Sequence, residues 1–366
     1  MKNASAIMMS WWQPLRLSKS IKNLRTLVLV ICLVGFVPGC KHATPSIPYS
    51  AVILDESPVQ EIQLIGPVSK SRAEISGMAW CGENLILLPQ YPKSMDENGR
   101  EVLFKIPKAD IDQYFTTDTP QGIEPLEVPF DSGELHEDIP GFEGFEAIVF
   151  HQKSFYVSIE ARHGGEMMGY LVRGVVDGEC EGLTLEKDTL VAVKPQADLG
   201  NMSDETLIIF EDQLYSIYEA NGVNVNPDPV SHVFNLSLEA IWDIPLPNVE
   251  YRITDATAPD SRGEFWAINT FFPGDAKLKP AQDQVAVDFG IGMSHRDENQ
   301  VERLLAFIIT DNGIEQVDRL PVYLALSGNI SRNWEGIVRY GDGFLLVTDL
   351  FPRTILAFLE DTILEE

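Results

Sequence analysis

One fifteen-residue unit constrains this chain more than any other feature. At Glu335–Asp349 it reads EGIVRYGDGFLLVTD: an apolar strand, a Gly-Asp-Gly turn and a second apolar strand, with an acid at each end. The unit returns at Glu146–Glu160 (EAIVFHQKSFYVSIE), Glu205–Glu219 (ETLIIFEDQLYSIYE) and Asp255–Asn269 (DATAPDSRGEFWAIN), and more weakly at Ser76–Gln90 (SGMAWCGENLILLPQ). In every copy the polar ends stand 14 positions apart. Further strands follow the copies, among them EVLFKIP at 101–107, GYLVRGVV at 169–176, SHVFNLS at 231–237 and VERLLAFII at 301–309. Only RTILAFLE, at 353–360, follows the fifth copy, whereas EIQLIG, at 61–66, precedes the first. A strand missing at one terminus and spare at the other predicts an all-β protein: a β-propeller of four-stranded blades closed by an N-terminal strand. Five blades account for the copies, and the 80-residue interval after Asp255 leaves room for a sixth. No long amphipathic helix interrupts the pattern, and Pro and Gly crowd the connections.

Charge narrows the function. The net charge of -28 excludes nucleic acid as a partner, because binding phosphates needs a basic surface. An acidic surface concentrates cations instead. The basic residues Arg16, Lys19, Lys22 and Arg25 are followed by an apolar stretch at 26–36 and then by Val37-Pro38-Gly39-Cys40. This order resembles a bacterial lipoprotein signal, and the apolar run is short for a membrane span. The sequence therefore predicts a signal peptide over 1–39, a lipidated Cys40 with a tether over 40–50, and a single propeller domain over 51–366. The expected protein is a monomer in the bacterial cell envelope, held to a membrane by the lipid on Cys40. Lys41, in place of Asp, points to the outer membrane. Cys81 and Cys180 either form a bridge, which such a compartment tolerates, or remain two half-buried thiols.

The repeat also places a site. Side chains alternate along a strand, so a hairpin that opens and closes on a polar residue brings both to one end. Ser76, Gln90, Glu146, Glu160, Glu205, Glu219, Asp255, Asn269, Glu335 and Asp349 would meet at one mouth of the axial channel. Carboxylates in such a ring must protonate or take a counter-ion, and hard oxygen ligands suit Ca²⁺. The expected ligands are Glu146, Glu205, Asp255 and Glu335, which open their units, with Asp349 and Asn269; Glu143 is a further candidate. The alternative for any one of these acids is a capping role at a strand end. Glu160 is followed by Arg162 and His163, so Glu160, Glu219 and His163 are candidate general bases and Arg162 a candidate substrate-binding cation. Arg252, Arg332, Asn333 and Arg353 lie near other unit ends, where arginines either bind a phosphate or carboxylate substrate or pair with the excess acids. The sequence holds no G-x-S-x-G elbow, P-loop, dinucleotide fingerprint or HExxH zinc motif.

Two stretches resemble a known family. Thr254-Asp255-Ala256 with the Pro259-Asp260 turn, and Glu335-Gly336-Ile337 with Thr348-Asp349, resemble the "TDA…LPDGRFLVLER" and "EGI…G…LLVTD" stretches of the bacterial propeller family called "esterase-like activity of phytase". Asn269 stands where that family often has an acid. The resemblance implies an envelope propeller with hydrolytic activity. The EGI opening also resembles gluconolactonase-type propellers, which implies axial acids and amides around Ca²⁺. Two functions follow. One is a metal-dependent hydrolase acting on a small anionic or ester substrate: a phosphoester, an ester or a lactone. The other is a propeller that binds Ca²⁺ or a ligand without turnover.

Overall fold

A computed structural model describes residues 52–361, apart from 329 and 351. Cys40 and the segment before it lie outside the described residues. Most of the strands form five four-stranded antiparallel meanders, the outer strands of the first two joined by a short parallel pairing into one nine-stranded sheet. Blade 1 is built from Ile75–Cys81, Asn84–Pro89, Val102–Pro107 and Leu126–Asp131. Blade 2 uses Phe142–His151, Ser154–His163, Glu166–Asp177 and Gly182–Leu185, and blade 3 uses Asp204–Phe210, Gln213–Tyr218, Val230–Asn235 and Ala240–Pro245. Blade 4 is Arg252–Ala256, Glu264–Phe271, Val301–Thr310 and Val322–Leu324. Blade 5 is Trp334–Tyr340, Gly343–Thr348 and Leu356–Glu360, completed by Gln60–Ile62 from the other end of the chain. That closure is antiparallel, with Leu356 opposite Ile62 and Phe358 opposite Gln60. The first strands of successive blades lie against one another, and the first strand of blade 5 lies against that of blade 1, so the ring shuts. The architecture is an all-β propeller.

The sequence explains the meanders locally. The inner hairpins of blades 1, 2, 3 and 5 turn in two residues, between Cys81 and Asn84, His151 and Ser154, Phe210 and Gln213, and Tyr340 and Gly343. Such turns need left-handed backbone, which Gly82, Gly341 and the Glu211-Asp212 pair adopt. Packing is between blades. Trp266 and Trp334 are fully buried where blade 4 meets blade 5, and Phe130, Phe145 and Phe155 fill the space between blades 1 and 2. Each large side chain removed from water in this way contributes about 1.5–3 kcal/mol. Cys81 and Cys180 form a disulfide that ties blade 1 to blade 2 at the end of the strand away from Ser76. The half-buried-thiol alternative does not hold.

The ring of inner strands shows a feature that alternation does not predict. In each blade the strand pairing slips at the polar opener of the unit. Ile75 pairs with Pro89 but Gly77 with Leu88, Phe145 with Ile159 but Ala147 with Ser158, and Asp204 with Tyr218 but Thr206 with Ile217. The same slip separates Ile253 from Ala256, and Trp334 from Gly336. Ser76, Glu146, Glu205, Asp255 and Glu335 therefore sit in β-bulges, which twist the strand and re-aim the side chain. The residue after each opener is small: Gly77, Ala147, Thr206, Ala256 and Gly336. A Cβ on Gly336 would stand 2.9 Å from Cβ of Met78 in the neighbouring blade. Bulge and small residue together let five strands crowd one axis.

Candidate functional site

Three of the bulged acids, Glu146, Glu205 and Glu335, gather with Glu160, Glu219 and Asp349 at one mouth of the channel. Arg252, the first residue of the inner strand of blade 4, reaches into them. Its Nε donates to Glu219, its Nη2 to Glu335 at 2.9 Å and to Glu205 at 3.5 Å, and its Nη1 to Oδ1 of Asn333 at 2.9 Å. One guanidinium thus joins blades 3, 4 and 5. On the other side Gln90 Nε2 donates to Glu146 at 2.9 Å. Asn333 Nδ2 faces Asp349 at 3.4 Å.

Six carboxyl groups against one buried guanidinium leave an excess of negative charge, which makes several of them harder to ionise. Burial, followed by repulsion from Glu205 and Glu143, pushes Glu160 up to about 8. Burial pushes Glu205 up to about 7, although Arg252 pulls it down. Glu146 and Glu335 rise well above the usual carboxylate range, burial first and neighbouring acids adding to it. Asp349 is raised by burial. For Arg252 burial works against the charge, but Glu335 and Glu205 outweigh it and its pKa goes up. Carboxyl oxygens without a hydrogen-bond partner among the described residues include Oε1 of Glu160, Oε2 of Glu219 and Oδ1 of Asp349. Tyr91, on the rim, is pushed up to about 12 by burial and by the charge of Glu146, Glu74, Glu143 and Glu160.

The other expected residues lie elsewhere or do other work. Asp255 lines a cavity of about 180 Å³ further down the channel, among Met78, Ile148, Leu207 and Ile337, where its Oδ2 accepts the Ile337 N–H at 2.8 Å. Asn269 is buried and donates to the carbonyls of Glu250 and Arg252, while its Oδ1 accepts from Arg303 Nε at 2.8 Å. Arg303 is itself held by Asp283, so Asn269 belongs to a structural network rather than to the mouth. Arg162 pairs with Glu143 at 3.3 Å and leans on Met167 Sδ. His163 is exposed at the tip of the hairpin that turns at Gly164-Gly165, and is a poor candidate for a base working beside buried acids. Arg332 pairs with Glu302 at 2.7 Å, and Arg353 with Glu61 in the closing strand.

Among the described residues no group of three or more His, Cys, Asp or Glu is placed to hold a metal ion. The position that a divalent cation would need between Glu205, Glu219 and Glu335 is taken by the Arg252 guanidinium. Of the two roles open to an arginine near a unit end, pairing with the excess acids is the one Arg252 shows, and its place as hub of the cluster depends on blades 3 and 5 arriving beside it.

No family model matches the chain, and no curated protein matches it. Among solved structures it is similar to one described as belonging to "the GH130 family of mannoside phosphorylases", at 9% identity over 86% of this chain and 95% of that one, with a TM-score of 0.45. It is also similar to a putative glycosidase from Bacteroides thetaiotaomicron (8% identity, 83% and 97% covered, TM-score 0.45) and to a glycosyl hydrolase from Bacteroides ovatus (8%, 85% and 95%, TM-score 0.46). Likeness this distant says nothing about chemistry. The resemblance to the "esterase-like activity of phytase" family is nevertheless corrected: no family model matches, and these structures carry other descriptions. The likeness to gluconolactonase-type propellers finds no match either.

Proposed function

We propose that the acidic mouth is the reaction centre of a hydrolase that cleaves a glycosidic bond in a neutral substrate by carboxyl acid–base chemistry. One observation carries this reading: at the same mouth Glu160, with a raised pKa, and Glu219, ion-paired with Arg252, each keep an oxygen without a hydrogen-bond partner among the described residues. Glu160, raised to about 8, is protonated at neutral pH and leaves Oε1 unbonded. Glu219 is ion-paired with Arg252 and leaves Oε2 unbonded. Glycoside hydrolysis needs such a pair, an acid to protonate the leaving oxygen and a carboxylate to activate water or attack the sugar carbon. Glu160 takes the first role and Glu219 the second. Arg252 is a positioning residue that holds Glu219. A phosphoester suits the mouth less well than a neutral substrate, because Nε, Nη1 and Nη2 of Arg252 already donate to protein oxygens and acids outnumber the buried cation.

The test is a panel of chromogenic glycosides alongside phosphate, ester and lactone substrates. A glycoside should be turned over, and Glu160→Gln should lower kcat by about 10²–10⁴-fold, the usual contribution of a general acid. Turnover of the phosphate or ester alone, or full activity in Glu160→Gln, would overturn the proposal. A second reading, ligand binding without turnover, is favoured by burial: Glu160 is 2% exposed and Glu219 0%. It predicts sugar binding and no hydrolysis in the same panel.

A further inference from the structure

A cavity of about 200 Å³ opens over Arg252, lined by Arg252, Phe272, Asp275, Ser331 and Asn333. Phe272 is the apolar member of this set, and it is 47% exposed. Its ring lies over the turn that follows it. Phe272-Pro273-Gly274-Asp275 forms a tight turn in which the Asp275 N–H donates to the Phe272 carbonyl at 2.9 Å. The ring lies against Gly274 so closely that a Cβ there would stand 2.3 Å from Phe272 Cε1. An aromatic ring thus stands at the rim of a polar cavity, packed over its own turn.

We infer that Phe272 is a stacking platform for the apolar C–H face of a single neutral pyranose, whose hydroxyls bond to Asp275, Ser331 and Asn333. This rests on the mouth being a sugar site, and it names the residue that selects a ring there. Three features favour that ligand. Drug-sized ligands fill pockets of about 300–1,000 Å³, so this cavity suits one ring rather than a larger molecule. The guanidinium at its floor is engaged by Glu219, Glu335 and Asn333, which leaves little to attract an anion. An aromatic face beside a few polar groups also matches a pyranose, which has an apolar face and a polar edge.

The experiment measures binding of the methyl α- and β-pyranosides of glucose, galactose and mannose by saturation-transfer NMR and titration. Open-chain sorbitol, glucuronate and glucosamine serve as controls. Wild type should bind at least one pyranoside in preference to all three controls. Phe272→Ala should weaken that binding about tenfold, the loss of one good ring contact, while Phe272→Trp retains it. Gly274→Ala, which forces the ring from its seat, should weaken binding as Phe272→Ala does. If a glycoside is hydrolysed, the Phe272→Ala loss should fall on KM more than on kcat. No pyranoside binding, equal binding of sorbitol, or an unaltered Phe272→Ala variant would overturn the inference. Glycoside turnover unaltered in Phe272→Ala would sink the platform and leave the acid–base centre standing. Pyranoside binding lost in Phe272→Ala, without turnover of any glycoside, would keep the platform and sink the hydrolase.

Discussion

Replacing Arg252 with methionine keeps the reach of the side chain and removes the guanidinium to which Glu205, Glu219 and Glu335 are bonded. Removing one partner of a buried ion pair costs about 3–5 kcal/mol, because the other is left charged and unpaired. At about 2 °C per kcal/mol for a large domain, the melting temperature should fall by about 6–10 °C at alkaline pH. The loss must depend on pH. Glu160 and Glu205 have folded pKa values raised to about 8 and about 7 from 4.5. A raised folded pKa gives stability that is fully present below the unfolded value and lost as pH rises through the folded one. Wild type should therefore be more stable near pH 5 than near pH 8. Without Arg252 these acids become still harder to ionise, so the gap between variant and wild type should widen as pH rises and narrow towards about pH 5. Calorimetric melts at the two pH values test this, and adding Glu205→Gln and Glu335→Gln to the variant should recover part of the loss. Equal losses at both pH values, with no recovery from the added substitutions, would refute the reasoning.

Four further outcomes are expected. The disulfide joins residues 99 positions apart, so the Cys81→Ser, Cys180→Ser protein should lose about 2–4 kcal/mol; an unchanged urea midpoint would show that the bridge is dispensable. Deleting the chain through residue 63 removes Gln60–Ile62 and strips the partner from Leu356–Glu360, and the truncated domain should melt earlier and aggregate, whereas an identical melt would rule out a stabilising closure. EDTA followed by excess Ca²⁺ should leave the wild-type melt within about 1 °C, since saturating a tight site would add about 2.7 kcal/mol at a hundred times its Kd. The lipid on Cys40 is proposed from the sequence alone: Cys40→Ala should block processing and leave a longer species, and normal cleavage of that variant would contradict it.

Much of the fold is legible because the unit that repeats is also the unit that folds. Apolar runs flanking Gly82, Gly341 and Glu211-Asp212 specify hairpins locally, and the spare strand near Ile62 specifies closure by elimination. The mouth is less legible. Fixed 14-residue spacing suggests that opener and closer of each unit pair as equals. The bulges break that equivalence, turning Glu146, Glu205 and Glu335 into the cluster while Asp255 faces the channel below. Nothing within one strand marks a bulge, because it arises from the count on the partner strand. Asn269 and Asp349 look alike as unit closers, yet Arg303 and two backbone carbonyls claim the first. Arg252 and Phe272 depend on neighbours brought in by other blades, so local sequence could identify them but not assign their work.

The closing strand carries a consequence for how the molecule is made. Gln60–Ile62 is synthesised before any blade, and its partner Leu356–Glu360 appears only after four blades have been made. The ladder that shuts the ring is thus the contact of highest sequence separation, the kind that slows a search most. Until Leu356–Glu360 has emerged, four blades can form while the fifth cannot be completed. The growing chain must carry Gln60–Ile62 without its ladder partner until then. A helper that shields the segment around residue 60, or slow synthesis of the last blade, would govern yield more than any side chain at the mouth.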